Sequence, residues 1–322
     1  MIIGRDDIRS ILMLAEKKST DGITRVDLAE LLALRARAGK PGSARTHART
    51  PLAGGHVSAL RGRGMDYAES RVYQAGDDAR NIDWRRTARS GKWHTKLFEA
   101  ERERSLLLLI DTHATMRFGT RMRYKSVAAA RAAAWLAWTC VRGGDRVGAL
   151  VFGAVRDAAD PHAGARGALN TLGALARWDA AASAGADAAE PLSAAVARAQ
   201  RLIAAGNRVW VLSDGWCTDP NATAALVRLA RHAEVRVVIM VDALERELAP
   251  KGAYVFETTA DRRVVDLVGA EARAGFRDEL ARGWRGLASA CDTAGVAWTT
   301  LSTDDEPDLA LAPFLRRRSA RA

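Results

Sequence analysis

From residue 105 onward, short apolar runs alternate with longer helical stretches. The runs are SLLLLI (105–110), RVGALVF (146–152), RVWVLS (208–213), VRVVIMV (235–241) and VAWTTL (296–301). Each is apolar almost throughout rather than at every second position, as expected of a strand buried on both faces. Between them, residues 123–142, 190–205, 219–232 and 270–294 read as helices. Strands and helices in alternation predict an α/β fold with a doubly wound parallel sheet, helices covering both faces. Upstream, residues 6–17 and 24–38 read as two further helices. The second has Thr24 as its N-cap and leucines at 28, 31 and 32. From Arg35 to Arg63 there are seven basic residues and no acid, interspersed with Gly39, Pro41, Gly42, Pro51, Gly54 and Gly55. That composition predicts a solvated connector. The expected organisation is a short N-terminal helical or irregular segment (1–38), a basic linker (39–55), a segment rich in arginine and tryptophan (56–104) and the α/β domain (105–318).

Composition narrows the class. The chain has 322 residues, 48% hydrophobic and 27% charged, which is globular. No apolar run approaches bilayer length, so no membrane insertion is expected. The start, MIIGRDDIRS, lacks the basic region and apolar core of a signal peptide. Cys140, Cys217 and Cys291 are widely spaced and form no CxxC pair, which argues against a disulfide framework or structural zinc. Together these features lead us to expect a cytoplasmic protein. The net charge of +11 and pI of about 10.2 would attract nucleic acid, acidic proteins or anionic lipid. No recognition motif accompanies the charge, so no specific nucleic-acid partner is expected. No glycine-rich phosphate loop is present either.

Candidate chemistry gathers at strand ends, where open α/β sheets bind ligands. Three runs end in aspartate: Asp111, Asp214 and Asp242. One such aspartate suits a helix N-cap, while Asp111 and Asp214, with hydroxyls nearby, look like a site. The stretch LLLLIDTHATM, followed by VLSDG, resembles the metal-ion-dependent adhesion site of von Willebrand factor A domains. The resemblance implies that Asp111, Thr115 and Asp214 stand at metal-site positions. His113 replaces the first serine and Glu190 falls where the loop threonine belongs. Imidazole is a poor ligand for Mg²⁺. The site is therefore degenerate: either it holds a divalent cation with altered preference, or it has lost the cation and survives as a scaffold. The same stretch also resembles the first motif of haloacid-dehalogenase-type phosphatases. That alternative makes Asp111 a nucleophile, Ser213 the second motif and Asp304–Asp305 the Mg²⁺-holding pair. It lacks the second aspartate of the D-x-D motif, where His113 stands. Cys217, beside the strand-end loop, reads as a buried thiol.

Residues 71–104, RVYQAGDDARNIDWRRTARSGKWHTKLFEAERER, are the most specific stretch. They resemble the domain-of-unknown-function-58 (DUF58) family through Arg71, Tyr73, Gly76, Asp77, Arg80, Ile82, Asp83, Trp84, Thr87, Ala88 and Arg89. The similarity continues through Lys96, Glu101, Glu103, GDRVGALVF and VLSD, to span about residues 56–318. It implies a von Willebrand factor A-like (Rossmann-like) domain and a partnership with a MoxR-type AAA+ ATPase. Within the segment, Asp77 and Asp83 lie among Arg71, Arg80, Arg85, Arg86 and Arg89, around Tyr73 and Trp84. This reads either as a structural clamp of Arg–carboxylate pairs or as a docking surface for an acidic partner. Arg71, Tyr73, Asp77, Arg80, Asp83, Trp84 and Arg89, with Trp216 in the strand-end loop, are the candidate partner-binding residues. The expected function is a non-enzymatic protein–protein interaction module with no catalytic residues. Its cofactor is either none or a divalent cation such as Mg²⁺.

Overall fold

The central strands bury alternate residues into two separate cores. A computed structural model describes residues 22–39, 65–74, 77–100, 104–183, 190–257 and 262–316. Contacts divide the chain into two units, Met1–Ser43 with Arg104–Ala322, and Ala44–Glu103.

In the larger unit the first described helix is α1 (Leu28–Ala33), continued by a 3-10 turn to Ala36. It starts later than the sequence suggested. Asp27, not Thr24, is the N-cap, its carboxylate accepting from the Ala29 N–H at 2.9 Å. The expected helix at 6–17 and the linker beyond Gly39 lie outside the described residues. Leu31, Leu34 and Ala38 are buried in the core of this unit.

The smaller unit is an antiparallel hairpin of β1 (Met65–Val72) and β2 (His94–Ala100), with α2 (Trp84–Ser90) between the strands. Asp83 caps α2, and Gly91 ends it at φ 65°, a left-handed value that glycine adopts freely.

The remaining elements belong to the larger unit. They are β3 (Ser105–Asp111), α3 (Lys125–Arg142), β4 (Arg146–Phe152), β5 (Asp157–Ala163), α4 (Gly164–Ser183), α5 (Leu192–Leu202), β6 (Arg208–Ser213), α6 (Ala222–Ala230), β7 (Glu234–Val241), α7 (Ala243–Arg246), β8 (Ala253–Glu257), β9 (Arg262–Asp266), α8 (Ala270–Leu280), α9 (Arg282–Ala294), β10 (Ala297–Ser302) and α10 (Pro307–Arg316). Five strands are parallel, in the order β10–β7–β6–β3–β4, and β5 closes the edge antiparallel to β4. The fold is thus the expected doubly wound α/β sheet, with an antiparallel edge the sequence reading lacked. β5, DAADPHA, carries acids and Pro161 and no apolar alternation, a composition tolerated only at an edge. The helix α4 and the small hairpin β8–β9 were also missed, and the helix expected over 270–294 breaks in two at Ala281.

Leu106, Leu108 and Ile110 face one core together with α3, α4 and α10. Leu107 and Leu109 face the other with α5, α6 and α9. Helix α3 is buried nearly all round, and its alanines let it approach the sheet closely. Trp135 and Trp138 sit in this core, and each indole N–H donates to a carbonyl of the N-terminal segment, Arg37 O (3.3 Å) and Leu31 O (3.1 Å). From β3 the chain winds outward one way through β4 and β5, then returns to place β6 on β3's other side. The switch point of the sheet therefore lies between the carboxyl ends of β3 and β6, where a crevice opens in such folds.

Candidate functional site

Asp111 ends β3 and Asp214 follows β6, so both carboxylates stand at the switch point. Both are almost wholly buried. Oδ1 of Asp111 accepts from the His113 N–H (2.8 Å) and lies 2.6 Å from His113 Nδ1. Its Oδ2 accepts from Ser213 Oγ (2.6 Å) and Cys217 Sγ (3.3 Å). Burial pushes the Asp111 carboxyl up, but the hydrogen bond and charge of His113 outweigh it, and the net pKa falls below its ordinary value. Burial lowers His113, while Asp111 chiefly, with Asp214 and Glu190, raises it, leaving the imidazole above its ordinary value. Asp111 and His113 form a buried ion pair.

Asp214 has a different partner. Lys125, the first residue of α3, is buried, and its Nζ lies 2.8 Å from Asp214 Oδ2 and 2.8 Å from Glu245 Oε1. Burial lowers the lysine pKa, but the two carboxylates overcome it and hold the ammonium charged. Burial in turn raises Asp214 and Glu245. The third strand-ending aspartate, Asp242, is a helix N-cap. It forms a capping box with Glu245 on α7 and accepts from Thr303 Oγ1 at 2.9 Å. Glu190 is held by Arg198 at 2.7 Å.

The sequence reading placed Asp111, Thr115 and Asp214, with His113 and Glu190, around one cation. The structure brings Asp111, His113 and Asp214 to one crevice but gives most of their donor atoms to other partners. Magnesium requires near-octahedral oxygen donors and tolerates imidazole poorly. Among these residues only Thr115 Oγ1 is buried without a partner. One hydroxyl does not make a Mg²⁺ shell, and the residues present do not fit that ion. Asp111, His113 and Cys217 do place three donor atoms within 4.8 Å of one another. Such a set suits zinc better than magnesium, but here His113 and Cys217 are each bonded to Asp111, and burial with the Asp111 charge keeps the Cys217 thiol protonated, its pKa raised well up. Lys125 and Glu245 were missed. The available signal was a lysine opening an apolar, alanine-rich helix, where a cation opposes the helix dipole.

The phosphatase constellation is not assembled. Asp304 and Asp305 follow β10, three strands from β3, on the order of 14 Å at ordinary strand spacing. Both Asp111 oxygens are occupied, and the cavity bordering Asp111 and His113 measures about 20 Å³, room for roughly one water.

In the smaller unit the candidate residues separate into a frame and a face. Asp83 is buried; it accepts from Ser70 Oγ (2.6 Å) and the Arg86 N–H (3.1 Å), so it is not available to a partner. Arg71 pairs with Asp77 at 2.6 Å, and Tyr73 Oη donates to the Asp77 carbonyl at 3.1 Å. Upon this frame Trp93 stands 6.1 Å from Tyr73 and 6.1 Å from Trp84 by ring centroids. Trp84 is 64% exposed and Trp93 56%, far above what a tryptophan with only a core role shows. Arg80, Arg85, Arg86, Arg89 and Lys92 are exposed around them, and no described residue pairs with their charges. Trp93 was passed over because it lies outside the motif residues. Trp216, in the larger unit, is partly buried, with Arg282 5.0 Å over its ring and Gly283 packed against the indole.

Comparisons with known proteins agree with this picture in part. Residues 69–285 match the family described as "Protein of unknown function DUF58". An uncharacterized protein of Mycobacterium bovis and one of Mycobacterium tuberculosis are each 40% identical over 100 residues, 31% of this chain and 32% of theirs. The chain thus aligns with about a third of the length of the curated relatives it matches. Solved structures with distant likeness include the conserved hypothetical protein BatB of Bacteroides thetaiotaomicron (14% identity, TM-score 0.38, 65% of this chain and 96% of that one). A von Willebrand factor type A protein of Catenulispora acidiphila gives 14% identity and TM-score 0.38, over 70% and 44%. An uncharacterized membrane-spanning protein of Vibrio fischeri gives 14% and 0.22, over 64% and 94%. The last corrects one expectation. The cytoplasmic assignment rested on missing apolar runs and cysteine spacing, and it is withdrawn: that no helix among the described residues is long and apolar enough to cross a membrane assigns no compartment, and one neighbour is titled as membrane-spanning.

Proposed function

This chain belongs to the DUF58 family of proteins of unknown function, and we propose that it is a non-catalytic protein-binding module whose partner is a MoxR-type AAA+ ATPase. The observation that carries the binding reading is the exposed pair Trp84 and Trp93, set on a hydrogen-bonded frame, in a segment whose exposed Arg80, Arg85, Arg86, Arg89 and Lys92 no described residue pairs. Exposed tryptophan beside arginine is the chemistry of interface hot spots. A rigid frame lowers the ordering cost of binding. The choice of ATPase follows from the family resemblance of Arg71–Arg89.

A tagged pull-down from the native host, wild type beside Trp84→Ala/Trp93→Ala, tests this directly. Recovery of an AAA+ ATPase by wild type and its loss in the double variant are the expected outcome. Equal recovery by both proteins would remove the tryptophan face from the reading, and absence of any AAA+ ATPase would remove the partner. The phosphatase alternative predicts Mg²⁺-dependent turnover of a generic phosphate ester that disappears in Asp111→Ala; the occupied Asp111 oxygens predict none.

A further inference from the structure

We propose that Lys125 is a built-in counter-ion of the switch-point site, occupying the role that a hard divalent cation would otherwise fill, so that the site assembles without Mg²⁺ or Mn²⁺. Four observations lead here. The ammonium bonds two carboxylates at once, Asp214 and Glu245, each at 2.8 Å, and all three groups are buried. A cation is favoured there, because Asp214 and Glu245 both turn a carboxylate oxygen to the same buried point and the nearby Asp111 charge adds to their repulsion. His113 answers Asp111, and Lys125 answers Asp214 and Glu245.

The position is also a costly one for lysine. It opens an 18-residue helix, at the positive end of the helix dipole, and its long side chain is held immobile in the interior. The two ion pairs at 2.8 Å are what offset those terms. The Phe118 ring, 5.5 Å from Nζ, faces the same ammonium. A third carboxylate so placed also explains why Glu245 does two things, capping Asp242 through one oxygen and bonding Lys125 through the other.

Removing Lys125 should convert the site into one that takes a cation. Lys125→Ala leaves Asp214 and Glu245 facing the space vacated by the buried lysine side chain, large enough for a hydrated divalent cation, with their oxygens as the donors. Two measurements on the full chain decide the matter. Mn²⁺ titration of the wild type followed by electron paramagnetic resonance should show no saturable one-to-one site up to about 1 mM, the weak end for protein calcium sites. Thermal unfolding of Lys125→Ala should rise with Mg²⁺ or Mn²⁺ by roughly 5–10 °C at a hundredfold excess over Kd, while the wild type stays unmoved by cation or EDTA. A saturable wild-type Mn²⁺ site that disappears in Asp214→Asn would overturn the proposal. So would a folded Lys125→Ala protein indifferent to both cations. Rescue of an otherwise insoluble Lys125→Ala by Mg²⁺ counts in favour. If that variant cannot be recovered under any condition, the wild-type titration decides alone.

Discussion

The Asp111–His113 pair should shape the stability of the protein across pH. His113 has its folded-state pKa raised above 6.5, so its contribution is complete below 6.5 and is lost as pH rises through the folded value. Asp111 is lowered from 3.8, so its contribution is present above 3.8 and is lost as pH falls through its folded value. Stability should therefore fall on both sides of a plateau. In His113→Ala the alkaline decline should vanish, with the plateau lowered by about 3 kcal/mol and the two profiles converging at alkaline pH. That is the lower end for removing one partner of a buried pair, since the His113 ring keeps some solvent contact. Urea unfolding of both proteins from acid to mildly alkaline pH reads this, and parallel profiles would refute the charge pair. Sequence alone exposed half of this chemistry. His113 stood out because it interrupts a recognisable spacing, and Asp111 and Asp214 because each ends an apolar run. Lys125 did not stand out, since what it does depends on Glu245, 120 residues away, and no local spacing encodes such a pairing.

The elements that could be read were those whose burial is uniform. β3, β4, β6 and β7 are apolar along most of their length because helices cover both faces. β5 and α4 escaped because an edge strand with a proline and a helix opening on Gly164 carry no such pattern. Loop geometry was equally hidden, although glycines mark it. Gly215 adopts φ 85°, and a β-carbon there would lie 2.3 Å from the Gly283 carbonyl oxygen on α9. Gly215→Ala therefore meets both a left-handed backbone and a backbone collision. It should cost at least about 1–2 kcal/mol from conformation alone, and more from displacing the loop that carries Asp214 and Trp216. Circular dichroism melts should show the loss, and an unchanged melt would mean that this loop shifts freely against α9. A contrasting variant is Gly91→Ala at the end of α2, where φ is 65° but no atom lies near the added carbon. It should show the conformational cost by itself.

Taken as a molecule, the chain presents two chemically different features: a buried, internally paired crevice in the sheet unit, and an exposed stretch rich in tryptophan and cations in the hairpin unit. Since Trp84 and Trp93 are largely solvent-exposed and the hydrogen bonds of the frame run through Asp83, Ser70, Arg71 and Asp77, Trp84→Ala/Trp93→Ala should leave the unfolding free energy within about 0.5 kcal/mol of wild type, as for ordinary surface changes. The same substitution should weaken partner binding by about 2 kcal/mol or more, roughly thirtyfold, if these rings are hot spots. The cations around them make a second, separable forecast. No described residue pairs with the charges of Arg80, Arg85, Arg86, Arg89 and Lys92, so an acidic surface docking there would be steered by charge, with an association rate that falls as salt rises. Replacing Arg85 and Arg89 with glutamine should flatten that salt dependence and act mainly on the association rate, whereas the tryptophan changes act on dissociation. Surface plasmon resonance with the recovered ATPase at several salt concentrations separates the two. A salt-independent association rate in the wild type would mean that the partner meets the tryptophans through apolar contact alone and that the basic rim serves only solubility.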